Sequence, residues 1–188
     1  SGVVRALTRD GVRAYALPTE PLLSAPTLDD LLPAAGGRLV SGDPALPDRE
    51  ALGVMVAGMT MPNVLDRLFD GVVVVTPGDR PEVVLGVLMA HLSAGFPKVS
   101  GIVLNGGIEL PPQVTRLLES AGTTLPIIAT DLGTQETSTA LTSMRGRLRS
   151  GSGRKVAAAL SLFAQHIDSD ALLDRLDVAR TTAVTPLM

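Results

Sequence analysis

Gly71-Val72-Val73-Val74-Val75-Thr76-Pro77-Gly78-Asp79-Arg80 and, further on, Gly101-Ile102-Val103-Leu104-Asn105-Gly106-Gly107 decide the fold. Each is an apolar run that stops abruptly in small and polar residues. Four consecutive valines without polar alternation leave no face for solvent, so the run reads as a strand covered on both sides, as in parallel sheets between helices. The polar residues then fall at the strand's carboxyl end, where open α/β sheets bind ligands or partners. The same stretch therefore predicts a fold class and a candidate site.

Outward from these runs, the chain repeats strand, polar turn and helix. Val54–Ala57 and Leu125–Ala129 are further predicted strands, and Pro62 opens a helix whose Val64, Leu65, Leu68 and Phe69 share a face. Asp79 and Glu82 have capping-box spacing, with Pro81 in the first turn where its missing N–H is harmless. The helix they open, Arg80 to Ala94, is apolar nearly all round and is predicted to be buried. Pro111–Ser120 is predicted to pack Val114, Leu117 and Leu118, and another helix runs from the polar opening after Asp131 toward Arg147. Successive βαβ units with right-handed crossovers give an α/β, three-layer fold with a mainly parallel central sheet flanked by helices.

Upstream, Pro18, Pro21 and Pro26 favour an extended connector over residues 1–26. Thr27 is a predicted N-cap with Asp30 in the first turn, the helix ending near Gly36-Gly37, followed by a short strand Arg38–Val40 and a polar loop Ser41–Glu50. Downstream, Ser150-Gly151-Ser152-Gly153 is a hinge before a helix carrying Val156, Ala159, Leu160, Phe163 and Ile167, with Leu172, Leu173 and Leu176 beyond it. The α/β domain is expected over residues 27–178, and Thr181–Met188 reads as loose.

Composition narrows the function. The chain has 188 residues, 45% hydrophobic and 19% charged, as a packed domain requires. No run approaches a membrane span, and Arg5, Arg9, Asp10 and Arg13 interrupt any signal-like core, so no membrane partner is expected. A net charge of −3 with 2% aromatic residues argues against nucleic acid. Cysteine is absent, which excludes disulfides and thiolate chemistry and favours a cytoplasmic location.

No catalytic set assembles. His91 and His166 have no partnering motif; His91 lies on an apolar helix and reads as a buried or interfacial imidazole, His166 as exposed. There is no Gly-x-Ser-x-Gly elbow and no phosphate loop, and Gly151 and Gly153 follow a helix, not a strand. Arg145, Arg147, Arg149, Arg154 and Lys155 read most simply as a solvated hinge, and Asp131 and Glu136 as acidic residues at a helix start. Arg80 is an anion contact near a helix N-terminus, or simply the partner of a neighbouring carboxylate. Asn105-Gly106-Gly107 admits a ligand close to the backbone, or supplies positive φ for a turn. No cofactor, no metal and no catalytic residue are expected.

The paired motifs Thr76-Pro77-Gly78-Asp79-Arg80 and Gly101–Gly107 resemble the signature of the DRTGG domain. Gly58–Leu68, Glu136-Thr137 and Arg145–Leu148 look like the version found in the middle of long bacterial phosphate acetyltransferases, and Val184–Met188 is similar to the lead-in of their catalytic domain. Pro81 departs from the signature, which has Thr there. The resemblance implies a parent enzyme that moves an acetyl group between coenzyme A and phosphate. It also implies a P-loop-type N-terminal domain, of which residues 1–26 hold the remnant, and a C-terminal acyltransferase domain that residues 179–188 lead into. By this resemblance the chain is a non-catalytic regulatory or architectural module, a homo-oligomer, with an effector site at Thr76, Gly78, Asp79, Arg80, Asn105, Gly106 and Gly107. The alternatives are a free-standing flavodoxin-like small-molecule enzyme and a pure oligomerisation scaffold.

Overall fold

The computed structural model describes residues 14–43, 49–146 and 152–175. Arg147, Arg149, the first half of the hinge, Leu176 and Thr181–Met188 lie outside the described residues, as do residues 1–13 of the upstream remnant. The contacts divide the chain into two compact units, one of residues 21–152 and one of residues 1–20 with 153–188.

The first unit begins with a single turn, α1 (Pro21–Ser24), where Pro21 occupies the position a helix start tolerates, so the proline-rich approach is not extended throughout. Thr27 then caps α2 (Leu28–Ala34) as expected. Its hydroxyl accepts from the Asp30 N–H at 3.3 Å, and the Asp30 carboxylate accepts from the Thr27 N–H at 3.0 Å, a reciprocal box built with Asp. Then come β1 (Arg38–Ser41), β2 (Gly53–Val56), α3 (Met61–Leu65), β3 (Val72–Pro77), α4 (Pro81–Leu92), β4 (Gly101–Asn105), α5 (Pro112–Ser120), β5 (Ile127–Ala129) and α6 (Thr134–Ser143). The five strands form one sheet in the order β1-β5-β4-β3-β2. β2 through β5 are parallel, and β1 closes the far edge antiparallel to β5.

Both faces of the sheet are buried, with side chains alternating along each strand. Val72 and Val74 of β3, Ile102 and Leu104 of β4 and Ile127 of β5 join Val64, Val83, Val87 and Leu118 from α3, α4 and α5. Val73, Val75, Val103 and Ile128 pack on the other side against Leu28, Leu31 and Leu141 from α2 and α6. The three-layer, mainly parallel arrangement expected from the valine run is therefore present.

Three helical expectations need correction. α4 is not buried all round. Val83, Val84, Val87, Leu88 and Ala90 face the core, but Met89 is 64% exposed and Leu92 is exposed beside it. α3 stops at Leu65, so Leu68 reaches the core from the following turn while Phe69 stays exposed. On α5 only Leu118 is buried; Leu117 is exposed. In each case one apolar periodicity was consistent with more than one face, and the packing partner chose between them.

At the end of α4, Lys98 donates its ammonium to the carbonyls of His91 at 2.6 Å and Ser93 at 2.8 Å, closing the helix C-terminus. His91 is half-buried, and burial, then the charges of Arg49 and Lys98, hold its imidazole below its usual value.

In the second unit, α7 (Gly153–His166) and α8 (Ser169–Arg175) follow each other, and the Tyr15 hydroxyl donates to the Asp168 carbonyl at 3.4 Å. Leu160 and Phe163 are exposed on α7, and so is His166, as expected. Lys155 is buried, contrary to the solvated hinge its basic neighbours suggested.

Ile102→Ala in the central strand should cost about 2–5 kcal/mol, read as a lower urea midpoint at unchanged slope; an unchanged midpoint would mean that β4 is not the centre of the core.

Candidate functional site

The carboxyl ends of β3 and β4 lie side by side, with Thr76 opposite Leu104 and Pro77 opposite Asn105. Thr76 continues the Val72–Val74 row, is 1% exposed, and its hydroxyl has no hydrogen-bond partner among the described residues. Asn105 points to the opposite face and is buried. With its amide oriented to suit its surroundings, the nitrogen donates to the Thr76 carbonyl at 3.3 Å. The oxygen accepts from the Thr134 hydroxyl at 2.8 Å and N–H at 3.3 Å, joining β3, β4 and the start of α6.

Gly106 and Gly107 follow with φ of 82° and 66°, a conformation that side chains resist. Their N–H groups are occupied: Gly106 donates to the Leu132 carbonyl at 2.8 Å and Gly107 to the Thr130 carbonyl at 3.0 Å. The Gly-Gly turn thus ties β4 to the loop after β5. Gly78 is needed for a different reason, because a Cβ there would collide with the Ile108 carbonyl oxygen.

Arg80 faces the other way, toward β2. Its Nε donates to Glu82 at 2.7 Å, and its terminal nitrogens donate to the carbonyls of Met59 at 2.8 Å and Ala57 at 3.4 Å. The capping box expected from Asp79 does not form. Arg80 itself is the N-cap residue of α4 and makes no side-chain cap, while Asp79 is exposed in the turn. The helix start takes Glu82 instead. Arg80 and then the backbone N–H of Glu82 itself hold that carboxyl below its usual value.

The seven candidate residues thus point in several directions: the Thr76 and Asn105 side chains lie on opposite faces of the sheet, Gly106 and Gly107 form the turn after β4, Gly78 lies against the Ile108 backbone, Arg80 reaches the turn after β2, and Asp79 is exposed. Gly107 also lines a cavity, of about 150 Å3, at the carboxyl ends of β4 and β5. Its other polar walls are Arg38, Glu109, Thr130 and Asp131. Arg38 and Glu109 are paired at 3.1 Å across the rim. The Thr130 hydroxyl is taken, donating to the Ala35 carbonyl at 2.5 Å and accepting from the Leu132 N–H at 3.2 Å. Arg38 and Glu109 carry no sequence signal, because only the β1–β5 pairing brings them to this place. No group of three or more His, Asp or Glu able to hold a metal occurs among the described residues. Nor is any helix among them long and apolar enough to cross a membrane.

A mostly parallel α/β sheet whose strand ends carry glycine turns and a polar cavity is the architecture of a ligand- or partner-binding module. Residues 30–144 match the DRTGG domain, and the chain belongs to that family. It is 35% identical over 175 residues to phosphate acetyltransferase of Nitratidesulfovibrio vulgaris, an alignment covering 93% of this chain and 25% of that protein. To the Synechocystis sp. phosphate acetyltransferase it is 29% identical over 171 residues, 90% of this chain and 24% of that protein. The chain thus spans about a quarter of the length of these curated relatives. Among solved structures, it is similar to the CBS and DRTGG domains of the regulatory region of Clostridium perfringens pyrophosphatase, complexed with the activator diadenosine tetraphosphate. That likeness has a TM-score of 0.52 at 16% identity, covers 80% of this chain and 61% of that one, and shows the fold.

Two measurements test the geometry. Thr76→Val removes a buried unpaired hydroxyl at nearly constant shape, so stability should stay equal or rise by up to about 1 kcal/mol; a clear loss in chemical denaturation would reveal a partner for that hydroxyl. For Glu82, the lowered folded value means its contribution is present above the ordinary carboxyl value of 4.5 and is lost as pH falls through the folded value. Glu82→Gln should therefore be less stable than the wild type at neutral pH and indistinguishable from it at acid pH. A gap that does not change with pH would show that the pair with Arg80 carries none of the effect.

Proposed function

We propose that this chain is a regulatory and architectural module of a phosphate acetyltransferase, the enzyme that converts acetyl-CoA and phosphate into coenzyme A and acetyl phosphate. What carries the proposal is the match of 93% of the chain to only 25% of a phosphate acetyltransferase. In the parent, the partners are a P-loop-type domain on the N-terminal side and an acyltransferase domain on the C-terminal side, in the cytoplasm. The chain itself performs no acetyl transfer. It senses a metabolite at the strand ends and passes the binding energy to its neighbours.

The sensing half is supported by the fold neighbour, a regulatory region complexed with a dinucleotide activator. Nucleotides are therefore the first ligand class to test. The architectural half is supported by the apolar groove between α3 and α4, about 520 Å3 and lined by Met61, Leu65, Leu85 and Met89, a kind of surface that marks contacts with another domain or a second copy. The flavodoxin-like enzyme reading finds less support, since the order β1-β5-β4-β3-β2 is not that of flavodoxin.

The isolated chain should show no acetyl transfer from acetyl-CoA to phosphate; turnover would overturn the proposal. Its melting temperature should rise with one of ATP, NADH, pyruvate, phosphoenolpyruvate, coenzyme A or acetyl phosphate. A ligand at a hundred times its Kd adds about 2.7 kcal/mol, roughly 5–10 °C for a domain of this size. Absence of any shift would leave the architectural role alone.

A further inference from the structure

We propose that the cavity at the carboxyl ends of β4 and β5 is the effector site, and that it takes the ribose phosphate part of a nucleotide or a free sugar phosphate; this rests on the regulatory role proposed above. β4 leads into α5 on one face of the sheet and β5 leads into α6 on the other, so the connections part between these two strand ends. The cavity lies there, with Gly107 after β4, Ala129 and Asp131 at the end of β5, and Arg38 of the antiparallel edge strand in its walls. Such a parting is where open α/β sheets bind their ligands.

The walls define the ligand. Gly36 and Gly107, at φ of 55° and 66°, bring bare backbone to two sides. At about 150 Å3 the space suits one sugar ring, well below the roughly 300 Å3 at which drug-sized pockets begin. Thr130 is occupied, which leaves Asp131 and the Arg38–Glu109 pair to act. The Asp131 carboxylate has no hydrogen-bond partner among the described residues and only accepts, so it selects hydroxyl donors, the role acidic residues take toward ribose at such strand ends. Among the described residues Arg38 is paired with Glu109 alone, through a single nitrogen on a pair that is 62% and 82% exposed. Its remaining donors fit a phosphate, which a guanidinium binds in bidentate fashion. A donor-rich ring carrying an anionic group satisfies both rims.

The test is calorimetric titration of the 188-residue chain and three variants with ATP, dideoxy-ATP, ribose phosphate and inorganic phosphate. Asp131→Asn should weaken ATP about tenfold or more, as loss of a charged hydrogen bond does, and leave dideoxy-ATP, already weak, unchanged. Arg38→Gln should weaken ATP and ribose phosphate alike. Glu109→Gln, which frees Arg38 from a surface pair of small worth, should tighten both a few-fold, an effect that damage to the fold does not produce. Ribose phosphate binding as tightly as ATP identifies a sugar phosphate ligand; tighter ATP identifies a nucleotide.

ATP binding that ignores all three variants overturns the assignment of this cavity while the regulatory role stands. No binding by any of the four probes also overturns the assignment, and the regulatory role falls with it only if the wider melting screen is negative too.

Discussion

No side of β3 reaches water, and the rest of the first unit is arranged so that none does. Val72, Val73, Val74 and Val75 are all fully buried, each worth roughly 1.5–3 kcal/mol in burial. They point alternately to two faces, so both faces need cover. The crossovers β2-α3-β3, β3-α4-β4 and β4-α5-β5 all step in the same direction, and right-handedness then places their three helices on one face. The other face has to be covered from outside the βαβ run. α2 arrives from before it and α6 returns from after it, lying against β2, β3 and α2. The helix that follows β5 therefore runs back across the sheet toward β2.

That return path governs the strand ends. The loop that carries the chain from β5 into α6 passes over the ends of β4 and β3, and the signature residues fasten it there. Gly106 and Gly107 hold Leu132 and Thr130, and Asn105 holds Thr134. Binding and fastening compete for the same N–H groups, and in this chain fastening takes them. The opening moves one strand over, to the junction with β1.

The buried strands, the mainly parallel character of the sheet and the Thr27 cap were legible in the sequence, whereas the order of the strands was not, because runs and caps depend on neighbours within a few residues and strand pairing does not. A valine run declares burial by itself, and Thr27 needs only Asp30. The partner of Arg80 was half legible. Glu82, two residues on, was within view, but the carbonyls of Met59 and Ala57 come from the turn after β2, and only tertiary structure selects Arg80 over Asp79 as the N-cap residue. The exposed side of α4 was illegible for another reason: an all-apolar helix has no pattern to show which stripe is left uncovered. The cavity was least legible, since Arg38 and Asp131 come to line one space only through an antiparallel pairing between the first and last strands.

Pro81 shows how a signature position can change without loss of the local structure. The DRTGG pattern that this chain resembles has Thr there, a residue with both an N–H and a hydroxyl at the start of α4. Proline removes both, and Arg80 before it provides no side-chain cap. The Glu82 carboxylate stands at this helix start, held below its usual value by the Arg80 side chain and then by its own backbone N–H. The helix start is thus closed by an internal anion. A ligand anion would have to displace Glu82 to bind at this helix start, whereas at the Arg38 rim it meets one exposed surface pair. The signature arginine is therefore better understood as the clip between the turn after β2 and the start of α4 than as an open anion contact.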